Sequence, residues 1–165
     1  MKRPPSLLVD GMLGSLARKL RLYGFDTLYF DDKDDYDLMV IAKNEERVLV
    51  SSDRALISSA RAKGIEAVEI LGKNDVERLN EVFTYIKHNP VLKPENSRCP
   101  VCNGEILQSE KDKLAGKVPA AILARYDRFF SCSSCGKVYW EGGHWKRLSN
   151  MNLQLSSMMG MNANV

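Results

Sequence analysis

No stretch of the 165-residue sequence approaches the roughly 18 consecutive apolar residues that a membrane span needs. The apolar run near the N-terminus, Leu7-Leu8-Val9, falls short of the about 7–15 residues of a signal peptide, so the cytoplasm is the expected compartment. His88 and His144 are the only histidines, which leaves a histidine-based acid–base site poorly supplied. G-x-G-x-x-G after a strand, G-x-x-x-x-G-K-[ST] and G-x-S-x-G are all missing, which argues against dinucleotide binding, a P-loop and a nucleophile elbow. Cysteine is absent before residue 99, and the last 15 residues carry no charge.

What is present divides the chain. Apolar residues make up 44% and charged residues 27%, ordinary for a globular protein of one domain with a small appendage. Residues 1–97 hold 15 Lys/Arg against 16 Asp/Glu, net −1, whereas residues 98–150 hold 9 against 5, net +4. Six of the 13 aromatics lie between Tyr126 and Trp145. A near-neutral front with many carboxylates is thus followed by a basic, aromatic-rich back.

All four cysteines lie in that back, as Cys99-Pro100-Val101-Cys102 and Cys132-Ser133-Ser134-Cys135. Two such knuckles in a reducing compartment point to metal rather than disulfides, and four thiolates satisfy one structural Zn²⁺. The intervening residues 103–131 require a long insertion between the knuckles, and Gly104 and Gly136 supply tight turns after them. A closed four-sulfur site leaves zinc no position for substrate, so this is a staple before it is a function.

The front alternates strand and helix. Ser6–Asp10, Thr27–Phe30, Arg47–Ser51 and Glu66–Leu71 read as strands. Leu13, Leu16, Ala17 and Leu20 mark a first helical face, ending by Gly24; Leu38, Ile41 and Ala42 mark a second; Leu56, Ile57 and Ala60 a third, ending by Gly64; Asp75–His88 a fourth. Short links between them predict an α/β fold, a parallel sheet with helices on both faces, followed by a small zinc ribbon. The expected division is residues 1–92, residues 98–149 and a loose tail over 150–165, with Pro90 and Pro94 marking the linker. His88 is expected at a helix end and His144 packed in the ribbon.

Ligands of open α/β sheets bind beyond the carboxyl ends of the strands. Asp10 ends the first strand, Asp53 follows the third, and Asp34, Asp35 and Asp37 stand at the start of the second helix. Carboxylates converging there repel unless a cation joins them, and hard oxygen ligands suit Mg²⁺ or Mn²⁺, which activates water for phosphodiester hydrolysis. Each of these aspartates also precedes a helix, and helix capping explains them equally well one at a time.

Several of these segments resemble one family. Leu8-Val9-Asp10-Gly11-Met12-Leu13-Gly14, Leu16-Ala17-Arg18 and Leu20–Thr27 are similar to the opening of the Mut-seven-type C-terminal ribonuclease domain. Asp34-Asp35 before Leu38, and Arg47–Arg54, resemble it as well, and so do Arg98–Gly104, Cys132–Trp140 and Gly143-His144-Trp145. The resemblance, from about residue 7 to 149, implies a three-layer PIN-like nuclease related to VapC-like toxins, with an appended zinc ribbon. It implies endonucleolytic cleavage of single-stranded RNA with Mg²⁺ or Mn²⁺, leaving a 5′-phosphate and a 3′-hydroxyl. The PIN acids carry over onto Asp10 and Asp53, and the middle acid onto Asp35, with Asp37 and then Asp34 as alternatives. Where the family often reads Thr-Arg-Asp, this chain has Ser51-Ser52-Asp53, and Arg54 and Leu56 stand where a fourth acid would be sought. An antitoxin protein and a homodimer are partners that such relatives imply.

RNA contacts are expected from Arg18, Lys19 and Arg21 on the first helix, from Arg54, and from Trp145, Lys146 and Arg147 in the ribbon. Tyr126, Phe129, Phe130, Tyr139, Trp140 and Trp145 are candidates to stack bases, with about two thirds of them expected inside the ribbon core. Competing readings are a non-catalytic RNA-binding protein on an inactive PIN scaffold and a structural zinc protein that binds another protein.

Overall fold

A computed structural model describes residues 4–89 and 91–160. Residues 1–3, Pro90 of the expected linker and the end of the expected tail, 161–165, lie outside the described residues. Four parallel strands, β1 (Leu7–Asp10), β2 (Thr27–Phe30), β3 (Val48–Ser51) and β4 (Ala67–Glu69), form a sheet in the order β2-β1-β3-β4. Between them run α1 (Gly14–Leu22), α2 (Asp35–Asn44) and α3 (Arg54–Ala62), and α4 (Asp75–Ile86) follows β4. The alternation read from the sequence is therefore the architecture.

Side chains alternate across the strands and so build two cores. Leu7, Val9, Val48 and Val50 face α1 and α4, where Leu16, Leu20, Leu79 and Phe83 meet them. Leu8 and Leu49 face the opposite side, against Leu38 and Ala42 of α2 and Leu56, Ile57 and Ala60 of α3. Burial on both faces explains why the strands read as unbroken apolar runs.

The back half is a three-stranded antiparallel sheet, β5 (Ile106–Ser109), β6 (Phe129–Cys132) and β7 (Val138–Trp140), in that order. The insertion between the knuckles contains β5 and a short helix α5 (Ala120–Arg125), and it has an apolar centre of its own. There Leu114, Val118 and Phe129 pack with Ile122, Leu123, Tyr126, Val138 and Trp140. Of the six aromatics proposed for base stacking, only Phe129 and Phe130 are buried; the other four are half-exposed, fewer inside than expected.

The cysteine module is seated on the amino-terminal edge of the parallel sheet. Arg21, 7% exposed, donates to the carbonyls of Thr27 (2.9 Å), Pro100 (2.9 Å) and Val101 (3.3 Å). Asn103 Oδ1 accepts from the Thr27 amide at 3.0 Å while its Nδ2 donates to Asp26 at 2.7 Å. Asp26 in turn accepts two bonds from Arg47, whose guanidinium also reaches the Leu7 carbonyl. This corrects one expectation: Arg21 faces the interface rather than solvent, and its Nε and Nη1 donors go to backbone carbonyls, not to RNA phosphates.

A second correction concerns the expected tail. Residues 150–158 are the later turns of α6 (Gly143–Met158), which starts in the cysteine module and ends against the first core. Leu155 is fully buried there, Met151 and Met159 pack beside it, and Asn152 accepts a hydrogen bond from Tyr23 at 3.0 Å. Apolar contacts along one stripe order a segment that has no charge to mark it. None of the helices in the described residues is long and apolar enough to cross a membrane.

Leu155→Ala is expected to lower stability by about 2–5 kcal/mol in denaturant unfolding, whereas a loose tail predicts no change. Burial pushes the Asp26 carboxyl up, but hydrogen bonds from Arg47 and Asn103 and the charge of Arg47 outweigh it and hold the carboxyl below its ordinary value. Its contribution is therefore present above about pH 4 and is lost as pH falls through the lowered value. The protection factor of the Thr27 amide against hydrogen exchange should fall in acid, and Asp26→Asn should weaken that pH dependence.

Candidate active site and metal centre

Parallel pairing brings the carboxyl ends of β1 and β3 to one edge. Asp10 is the last residue of β1, and Ser51, fully buried, is the last of β3. Ser51 Oγ donates to Asp10 Oδ2 at 2.7 Å and accepts from the Asp53 amide at 2.9 Å. One hydroxyl thus fixes an acid and the backbone of another. The sequence sets Ser51 where the resembled family often has Thr and assigns it no role; a polar residue ending the buried run Val48-Leu49-Val50 is the available signal.

Capping separates the aspartates. Asp53 does cap α3, its Oδ1 accepting from the amides of Ala55 (2.8 Å) and Leu56 (3.1 Å). Asp34 caps α2 by accepting from the Asp37 amide at 2.8 Å, which leaves Asp35 without that task. Asp10 makes no capping bond to the short turn that follows it. Asp35 is exposed, yet its carboxyl is raised, first by partial desolvation and then by the negative charges of Asp53, Asp10 and Asp34. Asp35 therefore lies within the field of both strand-end acids.

These carboxylates do not close up on one another. Among the described residues, the only group of three or more metal-binding side chains with ligand atoms mutually within 4.8 Å is the cysteine set. Direct oxygen ligands of one Mg²⁺ lie at most about 4.2 Å apart, at metal–oxygen distances of about 2.1 Å, so joint ligation requires these carboxylates to turn inward or to hold the ion through water.

The cysteine set is tight. The Sγ atoms of Cys99 and Cys135 are 3.7 Å apart and those of Cys102 and Cys132 3.4 Å. A tetrahedral ion with metal–sulfur distances of about 2.3 Å places sulfurs at about this separation, so the four can hold an ion such as zinc with no position left open. The amides of Ser134 and Cys135 both point at the Cys132 sulfur from 3.4 Å. Burial pushes that thiol up, but these amides and the neighbouring cysteines outweigh it and bring it down to about 6, which favours the thiolate. Tyr139 OH lies 3.0 Å from Cys99 Sγ, a contact that sequence reading missed.

The knuckles are built alike with one difference. After Cys135 the left-handed position is Gly136 (φ +72°); after Cys102 it is Asn103 (φ +66°), not Gly104. Asparagine tolerates this conformation and brings the side chain that grips Asp26 and Thr27. Gly104 serves close approach instead, since a Cβ there would lie 2.6 Å from Ser134 Oγ and 2.8 Å from Cys132 Sγ.

The expected RNA contacts are scattered differently. Arg54 is exposed on the first turn of α3, next to Asp53. Lys146 and Arg147 are exposed on α6, and so is His144, 3.4 Å from Arg147, rather than packed as expected. Arg18, Lys19 and Trp145 line a cleft of about 640 Å³ between α1 and the cysteine module, and none of the carboxylates above borders it. Lys19 pairs with Asp75 at 2.9 Å, while Arg18 is exposed. His88 follows α4 and meets the Phe25 ring edge-on, at 5.2 Å between centroids.

Gly104→Ala is expected to reduce the affinity of the four thiols for Zn²⁺, read by competition with a chromogenic chelator, because the added carbon meets a ligand sulfur. Unchanged affinity would mean that the knuckles do not need this close approach.

A family model described as Mut7-C RNAse domain matches residues 5–152. No curated protein and no solved structure matches the chain.

Proposed function

The chain belongs to the Mut7-C RNAse domain family, and from that premise we propose that it is a metal-dependent endoribonuclease of PIN type that cleaves single-stranded RNA. The observation that carries the reading is Asp10: it ends a buried strand, caps nothing, and is held by a buried serine whose other bond orients Asp53. Asp35 joins them through the charge it feels, which supports it as the middle acid ahead of Asp37 and Asp34.

Mg²⁺ or Mn²⁺, when bound, supplies a nucleophilic water at neutral pH and neutralises charge on the phosphate. Asp10, Asp35 and Asp53 would hold it, with the oxygens that Ser51 and the α3 amides leave free. Ser51 holds one oxygen of the Asp10 carboxylate, which limits its rotation. Asp53 keeps one oxygen on the first turn of α3, which limits its rotation. Arg54, exposed beside it, is placed to meet a flanking phosphate. Cleavage by this route leaves a 5′-phosphate and a 3′-hydroxyl.

Zinc at Cys99, Cys102, Cys132 and Cys135 is structural in this reading, and the cysteine module aids RNA binding as a zinc ribbon. Four unpaired thiols in one site fit the reducing cytoplasm. A VapC-like toxin role, an antitoxin partner and a homodimer enter the proposal through the PIN resemblance alone. The second reading, an RNA-holding protein without catalysis, draws on the wide spacing of the carboxylates.

Asp10→Asn should abolish metal-dependent cleavage of labelled single-stranded RNA while leaving the fold intact by circular dichroism. Ser51→Ala should lower cleavage by about 10–100-fold, the usual effect of losing a group that orients a metal ligand. RNA retention without Mg²⁺- or Mn²⁺-dependent fragments from the wild type would select the second reading, and equal cutting by wild type and Asp10→Asn would place the reaction elsewhere.

A further inference from the structure

The stripe Ser15, Arg18, Lys19 and Leu22 runs along α1 at helical spacing and forms one wall of the 640 Å³ cleft. The facing wall is aromatic, with Phe130, Tyr139 and Trp140 from the cysteine module and Trp145 from the first turn of α6. Phe130 is buried in one apolar cluster with Tyr139 beside it, and Trp140 packs into another. Trp145 belongs to none of the apolar clusters among the described residues and is half-exposed, so its ring faces are not consumed by a core.

Charge at the cleft is positive on balance. Arg18 and Lys137 are exposed on its rim, and Lys146 and Arg147 continue the positive surface along α6. Its one carboxylate, Glu141, is met by Arg128 at 3.4 Å, and the charge of Lys19 is met by Asp75. The remaining unpaired cations on an aromatic wall suit a polyanion with flat unpaired groups. They do not suit an acidic or apolar peptide equally well, because the free ring face of Trp145 then goes unused.

The wall formed by α1 also has a direction. Helix α1 begins four residues after Asp10, and Ser15 to Leu22 spans about 10 Å at the helical rise. A strand lying along α1 therefore leads from the cysteine module toward the edge that carries Asp10.

We propose that this cleft seats an unpaired base of the RNA strand, stacked against Trp145, with Arg18 and Lys137 on the phosphates beside it. The inference rests on RNA as the substrate and not on the chemistry of the carboxylates.

Trp140 and Trp145 are the chain's two tryptophans and both line the cleft, so intrinsic fluorescence reports on it directly. The experiment titrates the zinc-loaded Asp10→Asn protein with a labelled single-stranded RNA of mixed sequence, reading label anisotropy and tryptophan emission together. The expected result is quenching that follows the anisotropy curve, with the matching duplex giving little quenching. Trp145→Ala should weaken binding on the order of 10-fold. Arg18→Ala, at an exposed position, should weaken it several-fold and lower the salt slope by about 1. RNA binding with unchanged emission, or an affinity indifferent to both variants, overturns the cleft while leaving the ribonuclease reading intact. Cleft binding by a wild type that never cuts keeps this proposal and removes the catalytic one. No binding of single-stranded RNA at low salt overturns it outright.

Discussion

Parallel pairing of β1 with both β2 and β3 is the constraint on which the molecule rests. It sends every strand in one direction, so the sheet has two chemically different ends. At the carboxyl end, Asp10, Ser51 and Asp53 meet beside the start of α2. At the amino end, Asp26, Thr27 and Arg47 meet, and the cysteine module docks there. An antiparallel sheet of the same residues would mix these two sets of polar groups on both edges.

The two ends are treated differently by their surroundings. Carboxylates at the carboxyl end keep oxygens in reserve, whereas the amino end commits its guanidinium donors to the fold: Arg21 Nε and Nη1 to three carbonyls, Arg47 to Asp26, Glu45 and Leu7. A buried guanidinium is costly unless such acceptors meet its donors. The first cysteine knuckle supplies two of those carbonyls, Pro100 and Val101, so the loop that shapes the metal site also completes the packing of α1.

Much of this was legible in sequence because it follows from local pattern. The apolar runs Leu7-Leu8-Val9 and Val48-Leu49-Val50, which end at Asp10 and Ser51, and the C-x-x-C spacing each state one element or ligand set. What escaped depends on tertiary contact. Arg18, Lys19 and Arg21 look alike on one helix, and only the docked module separates Arg21 from the other two. Separating Asp35 from Asp34 likewise required knowing which residue caps α2. The tail was different, since Leu148, Met151, Leu155 and Met159 already recur at spacings of three to four residues; lack of charge hid a readable period.

Helix α6 gives the chain an order of completion. Tyr23 and Asn152 are hydrogen-bonded across 129 positions, and Leu155 fills a core whose first member is Leu7. During synthesis the strands of the parallel sheet emerge early, but their core stays open on one side until residue 155 has left the ribosome. Contacts this distant in sequence close slowly, because the intervening chain must be ordered first. A product truncated before α6 therefore exposes apolar surface around Tyr23 and Phe83. Full stability of the half that bears the carboxylates arrives only after the half that bears the cysteines has been made.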